Sequence, residues 1–306
     1  MPLDPRLAPV IAMLAAETVN TTGTAAERRA DALARREARG LPLEAGGPDG
    51  LATRDLEVSG VPVRVYRPGP GRLPGLLYIH GGGWWAGSVD ESDATCRRKA
   101  RDLGVVVVSV DYRLAPEHPF PAGLDDCYAV TRWMYDAADE LEIDPERIAV
   151  CGASAGGNLA AAVTLRARDQ GGPRFVAQVL EVPGMDLRMV GESMDLYAEG
   201  YGFTRAGLEE CREFYVADGD PTDPWVSPVF AAVHDLPPAL VTTCEYDPVR
   251  DSGEQYAAKL AAAGVPTVLR RWDGIAHGCG ELDVILPDIA AAYREELNRF
   301  LKGHLS

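Results

Sequence analysis

The strongest constraint on this chain's fold is an alternation. Short, nearly continuous runs of Val, Ile and Leu are separated by segments whose apolar residues recur at helical spacing. A strand buried on both faces loses the in–out pattern of a half-exposed strand, so such runs point to a parallel sheet covered by helices on both sides. Eight strands are expected, at 54–58, 61–66, 75–79, 105–111, 147–151, 177–182, 239–243 and 267–272, the first two joined as a hairpin at Ser59-Gly60. Helices are expected between and after them, at 92–103, 123–141, 158–170, 252–263 and 286–302. The fourth of these has Ser252 as its N-cap and Gly264 behind it. The pattern predicts an α/β fold with a mostly parallel eight-stranded sheet.

Two segments stand outside the alternation. Residues 1–50 carry two expected helices, 5–16 and 25–39, with Gly40 as a C-cap and Gly47-Pro48 as a stop. Residues 186–225 interrupt the second half of the chain. Both are expected to lie over the C-terminal edge of the strands, where α/β sheets bind ligands. The expected organisation is therefore cap helices over 1–50 and a catalytic domain over 51–306, with a cap insertion near 186–225.

Composition narrows the function classes. With 306 residues the chain can bury a large core, and 46% hydrophobic with 25% charged residues is ordinary for a globular protein. A net charge of −16 argues against nucleic acid and anionic membrane surfaces, which need basic patches. The apolar stretch 7–16, bracketed by Asp4 and Glu17 with only Arg6 before it, does not read as a signal peptide. The six cysteines form no C-x-x-C pair and are expected to be free thiols, which suits a cytoplasmic protein. No metal or cofactor is expected. The glycine-rich stretches have neither the Lys-Ser/Thr of a phosphate loop nor a G-x-G-x-x-G dinucleotide fingerprint.

The chemistry concentrates in a few places. Gly152-Ala153-Ser154-Ala155-Gly156 is a G-x-S-x-G directly after an apolar strand and directly before an alanine-rich helix. That context puts a serine on a tight strand-to-helix turn with the helix N-terminus aimed at it. His80-Gly81-Gly82-Gly83-Trp84-Trp85 follows another strand, and consecutive glycines leave backbone N–H groups free to converge on a developing oxyanion. A serine hydroxyl needs a base. Of five histidines, His277 follows the last strand and is the best placed. His80 reads as a structural hydrogen-bonder, His118 sits in a Pro-Glu-His-Pro turn, and His234 and His304 lie in a loop and the tail. The base needs a carboxylate to fix its tautomer. Asp247, after the 239–243 strand, is preferred over its neighbours Glu245 and Asp251, and gives the order Ser154, Asp247, His277.

Together with the run Asp111-Tyr112-Arg113-Leu114-Ala115-Pro116-Glu117-His118-Pro119-Phe120-Pro121, these motifs resemble the hormone-sensitive lipase family of α/β-hydrolases, also called bacterial family IV esterases. Leu180-Glu181-Val182-Pro183 is similar to the heroin esterase branch. The resemblance implies Ser154 as nucleophile, His277 as base, Asp247 as orienter, and an oxyanion hole from the amides of Gly82, Gly83 and Ala155. Trp84, and with it Trp85, would line the substrate cleft, and core packing is the competing reading for Trp85. The 111–121 run would join strand to helix below the site.

Ala153 departs from the Asp or Thr that many relatives carry before the nucleophile. Asp186, Arg188, Glu192, Asp195 and Glu199 make the insertion polar, which points to soluble short-chain esters. The expected activity is hydrolysis of short-chain acyl esters through an acyl-enzyme. The alternatives are amide or peptide hydrolysis by the same groups, or a small-molecule receptor. Plant gibberellin receptors resemble the family but lack the histidine. The last strand reads as an exposed edge, which a homodimer could use.

Overall fold

The structure, a computed structural model, describes residues 1–16, 22–38, 51–278 and 283–306. Its centre is one eight-stranded sheet: β1 (Ala52–Val58), β2 (Val61–Arg67), β3 (Leu73–Ile79), β4 (Val106–Val110), β5 (Ile143–Ala153), β6 (Gln178–Glu181), β7 (Ala239–Tyr246) and β8 (Thr267–Ala276). The spatial order is β1-β2-β4-β3-β5-β6-β7-β8. β1 and β2 form an antiparallel hairpin, β2 runs antiparallel to β4, and every later neighbour is parallel.

The continuous apolar runs are explained by two cores. Along β3, Leu77 and Ile79 point to one side with α4 (Ala122–Asp136) and α5 (Ala155–Asp169). Leu76 and Tyr78 point to the other side with α3 (Asp93–Leu103) and α9 (Pro287–Leu305). Successive side chains alternate faces, so a strand covered on both sides must be apolar at every position. β4 is the extreme case, buried at all five residues.

Boundaries differ from the sequence reading where local bonds compete. α4 ends at Asp136, short of the expected 141, because the Ala138 carbonyl accepts the Ile143 N–H at 2.8 Å and turns the chain into β5. β5 accordingly begins at Ile143, four residues early, paired with Leu73 across a register irregularity. α8 (Arg250–Ala262) starts two residues before Ser252, so that serine is not the N-cap. It sits in the first turn, donating to the Val249 carbonyl at 2.8 Å and accepting the Met185 N–H at 3.0 Å. At the N-terminus α1 (Ala8–Ala16) begins after a turn over Pro5-Arg6-Leu7 in which the Leu7 N–H reaches the Asp4 carbonyl. The expected Gly40 cap and Gly47-Pro48 stop lie outside the described residues.

α2 (Ala25–Ala38) opens with a capping box. Thr24 Oγ1 accepts the Glu27 N–H at 3.2 Å, and Glu27 accepts the Thr24 N–H at 2.8 Å. The 186–225 segment contains two helices, α6 (Glu192–Tyr197) and α7 (Arg205–Val216), the latter capped by Thr204 accepting the Gly207 N–H. Some of its charged residues pair with one another: Asp186 with Arg188 at 2.6 Å, and Asp195 with Arg205 at 2.9 Å. α2 meets α7 through the buried Arg28, whose guanidinium bonds Glu210.

The 111–121 run is not below the site. β3, β4 and β5 are parallel, so the segment after β4 leaves from the same sheet edge as the turns after β3 and β5. It packs beside the glycine loop, with the Ala115 N–H on the Trp84 carbonyl at 3.0 Å and the Phe120 N–H on the Tyr215 carbonyl of α7 at 2.8 Å. β8 is an edge of the sheet, with Val268 and Leu269 exposed on it.

Candidate active site

β5 delivers Ser154 at its end. Ala153 pairs with Glu181 of β6, and the Ser154 N–H continues that ladder by donating to the Glu181 carbonyl at 2.7 Å. The chain then reverses into α5, which begins at Ala155, three residues earlier than expected. Ser154 takes φ +54° and ψ −117°, a conformation rarely adopted by a residue with a Cβ and held here by the sheet on one side and the helix on the other. The turn is tight enough that a Cβ on Gly156 would sit 2.1 Å from the Ile79 carbonyl oxygen. Only glycine lets α5 start this close to β3.

His277 follows the last residue of β8. Its Nε2 lies 3.0 Å from Ser154 Oγ and its Nδ1 lies 2.7 Å from Asp247 Oδ2. Asp247 is fully buried in the turn between β7 and α8, and its other oxygen accepts the Val249 N–H at 3.0 Å. A buried carboxylate at Nδ1 demands the proton there, which leaves the Nε2 lone pair facing the serine hydroxyl. The ring of Phe203, from the 186–225 insertion, meets the imidazole edge-on at 4.9 Å.

The competing acids are committed elsewhere. Glu245 accepts the Gly274 N–H at 2.6 Å. Asp251 accepts the Ser193 N–H at 2.7 Å and pairs with Arg250 at 2.8 Å. Burial raises the Asp251 carboxyl, but the Ser193 and Arg250 donors outweigh it and hold the group below the usual range. It ties α6 to α8.

The glycine loop leaves β3 beside this turn. Gly82 has φ +118°, and a Cβ there would fall 2.1 Å from the Ala86 carbonyl oxygen. The Gly82 carbonyl itself accepts the N–H groups of Trp85 at 3.2 Å and Ala86 at 2.9 Å, closing the loop on itself. Among the described residues the Gly82, Gly83 and Ala155 N–H groups donate to no carbonyl, and all three residues line the same cavity as Ser154 and His277. That cavity encloses about 910 Å³. Trp84 and Trp85 both line it and both also pack: Trp84 stacks on Tyr215 at 4.8 Å, and Trp85 meets Phe214 edge-on at 5.9 Å. The insertion contributes Leu187, Met189, Phe203 and Leu208 to the wall together with Asp186, Glu199 and Glu210, so its inner face mixes apolar and charged groups.

His80 is buried at the root of the loop. Its Nδ1 is 2.8 Å from the Gly81 carbonyl, and its ring stacks on Tyr112 at 4.3 Å. Burial pushes its imidazole below the ordinary value, against the opposing pull of that carbonyl, so it stays neutral. The five described cysteines are free.

A feature the motif reading missed is a buried Lys99–Glu181 pair at 2.9 Å, with the Cys151 thiol donating to the same carboxylate at 3.1 Å. Burial opposes the Lys99 charge, but the Glu181 carboxylate bonded to it outweighs that cost and keeps the ammonium protonated. The signal was present: Lys99 falls on the face of α3 that also carries the buried Cys96 and Ala100, one of only three lysines in the chain.

Known proteins agree with this architecture. Residues 76–281 match the α/β-hydrolase fold family. The chain is 43% identical to the carboxylic ester hydrolase LipN of Mycobacterium tuberculosis over 82% of its own length and 70% of that protein. It is 39% identical to the carboxylesterase NlhH of the same organism, over 94% of this chain and 93% of the relative. Among solved structures, the hyperthermophilic esterase of the archaeon Pyrobaculum calidifontis superposes with a TM-score of 0.90 at 37% identity, covering 99% of both chains. The chain belongs to the α/β-hydrolase family, on the hormone-sensitive-lipase-like branch that its motifs resemble.

Proposed function

We propose that this protein is a carboxylic ester hydrolase acting on short-chain acyl esters, with Ser154 as nucleophile, His277 as general base and Asp247 as its orienter. The observation that carries this reading is the relay from Ser154 Oγ to His277 Nε2 at 3.0 Å and from Nδ1 to the buried Asp247 at 2.7 Å. Its relatives' activities and the family's chemistry support it.

In the first half-reaction Ser154 Oγ bonds to the ester carbonyl carbon while its proton passes to His277 Nε2. The carbonyl oxygen becomes an oxyanion, which the amides of Gly82, Gly83 and Ala155 receive. The imidazolium, stabilised by Asp247, returns the proton to the leaving alcohol as the C–O bond breaks. Water then repeats the sequence on the acyl-enzyme, releasing the acid and restoring Ser154. Trp84 and Trp85 wall the cleft, and residues 1–50 with the 186–225 insertion act as a cap over the 51–306 catalytic domain. A cavity of about 910 Å³ has room for a small acyl group together with its alcohol. The β8 edge, with Val268 and Leu269 exposed, offers a surface for a second copy. Free thiols and a net charge of −16 favour a cytoplasmic protein without nucleic-acid partners.

The test is hydrolysis of p-nitrophenyl esters from acetate to long chains by wild type and Ser154→Ala. Turnover confined to short chains and abolished by the substitution is the expected result. Ester turnover that survives Ser154→Ala would remove the serine mechanism. Amide cleavage without ester cleavage, or binding without turnover, would favour the amidase or receptor alternatives.

A further inference from the structure

The glycine loop is held from outside the cavity by α2. Arg29 Nε donates to the Trp85 carbonyl, and its Nη2 donates to the Ala115 carbonyl at 2.6 Å. The same guanidinium pairs with Glu117 at 2.5 Å, and this contact holds the Glu117 carboxyl below its usual range. Beside it, Arg28 lies 5.1 Å over the Trp85 ring. One planar fork thus ties together the end of the glycine loop and the 111–121 run.

The loop needs such a tie. Gly82 and Gly83 both have positive φ and little conformational preference of their own. The loop's internal bonds close Gly82 to Trp85 and Ala86 but do not hold that closed unit in place. Two successive carbonyls do: Trp84 accepts the Ala115 N–H at 3.0 Å, and Trp85 accepts Arg29. Because Arg29 also holds Ala115, the two tethers brace each other.

We infer that Arg29 is a positioning residue for the oxyanion loop, fixing the direction of the Gly82 and Gly83 amides by clamping the Trp85 and Ala115 carbonyls. This rests on the proposed role of those amides. Oxyanion donors contribute in proportion to how well they are pre-aimed, so a loosened loop lowers transition-state stabilisation more than substrate binding. A lysine cannot replace the clamp, since one ammonium on a flexible stem does not present the rigid fork.

The experiment compares wild type, Arg29→Met, Arg29→Lys and Ser154→Ala on p-nitrophenyl acetate, with thermal unfolding and near-UV circular dichroism to establish folding. Inhibition by phenyl trifluoromethyl ketone, which adds to the serine and places an oxyanion in the hole, is measured alongside. Arg29→Met is expected to lower kcat by roughly 10–100-fold, less than the 10²–10³ for losing an oxyanion donor outright, with KM within about threefold. Inhibitor affinity is expected to weaken by the same factor, and Arg29→Lys to recover only a small part of the loss. Wild-type kcat in a folded Arg29→Met, or reduced kcat with unchanged inhibitor affinity, would overturn the inference. If Arg29→Met does not fold, Arg29→Lys carries the test by the same two readouts. Activity surviving in Ser154→Ala would instead sink the ester-hydrolase mechanism, whatever Arg29 does.

Discussion

Two turns leave the same edge of the sheet, and they are held in different ways. The turn carrying Ser154 is built from the main chain. β6 accepts its N–H, α5 starts on the next residue, and a close-packed glycine seals it against β3. The glycine loop after β3 has no such ladder. It closes on itself through the Gly82 carbonyl and is then fastened by Ala115, by Arg29 of α2, and by the rings of α7 against Trp84 and Trp85. The nucleophile turn is therefore a local product of strand and helix. The loop is a joint product of three segments distant in sequence, and it can be disturbed from far away.

Substitutions can break this contrast, the largest effect first. Ser154→Ala removes the nucleophile without touching the main-chain frame, and should lower kcat by about 10⁶ with the melting temperature nearly unchanged, as in other hydrolases of this logic. A large loss of stability would mean that the turn leans on its side chain after all. Asp247→Asn should cost about 10⁴ in kcat, because an amide at that position favours the wrong imidazole tautomer. Steady-state kinetics in which the loss vanishes would show that Asp247 does not set the tautomer.

Gly82→Ala tests the loop itself. With φ +118° and a Cβ directed at the Ala86 carbonyl, the loop must move, and kcat should fall by about 10²–10³ with little change in the secondary structure seen by far-UV circular dichroism. Glu210→Gln tests the distant fastening. It leaves the buried Arg28 guanidinium without its carboxylate and should cost roughly 1–2 kcal/mol in urea unfolding. A null result would mean that α2 stays docked without this pair.

The smallest expected effect is a pH dependence at the root of the loop. Burial holds the folded His80 imidazole below its ordinary value of 6.5. Below that pH the unfolded chain takes up a proton that the folded chain refuses, so His80 favours folding above the unfolded value and this contribution is lost as pH falls through it. The slope is at most about 1.4 kcal/mol per pH unit. It should shrink in His80→Asn, measured by unfolding between pH 7 and 5, and an unchanged slope would assign the acid sensitivity elsewhere.

The sheet, its helices and the order of the site motifs were legible because each is a local pattern. A strand covered on both faces is written in continuous apolar residues. A glycine-flanked serine between strand and helix has few conformations open to it, and a histidine after the last strand can reach only one edge of a parallel sheet. What remained hidden depends on contacts between distant segments. Lys99 and Glu181 are far apart in the chain, and only the packing of α3 on one face of the sheet makes them a buried pair. The charges of the insertion look solvent-facing in sequence, yet Asp186 is buried against Arg188 and lines the cavity beside its apolar neighbours Leu187 and Met189. Ser252 shows the same limit at one residue: its type suits a cap, but the Met185 N–H and Val249 carbonyl claim its hydroxyl and the helix starts earlier. Arg28 and Arg29 read as ordinary helix-surface residues. Tertiary packing alone brings α2 against the glycine loop, because side-chain direction across an interface is not encoded in local spacing.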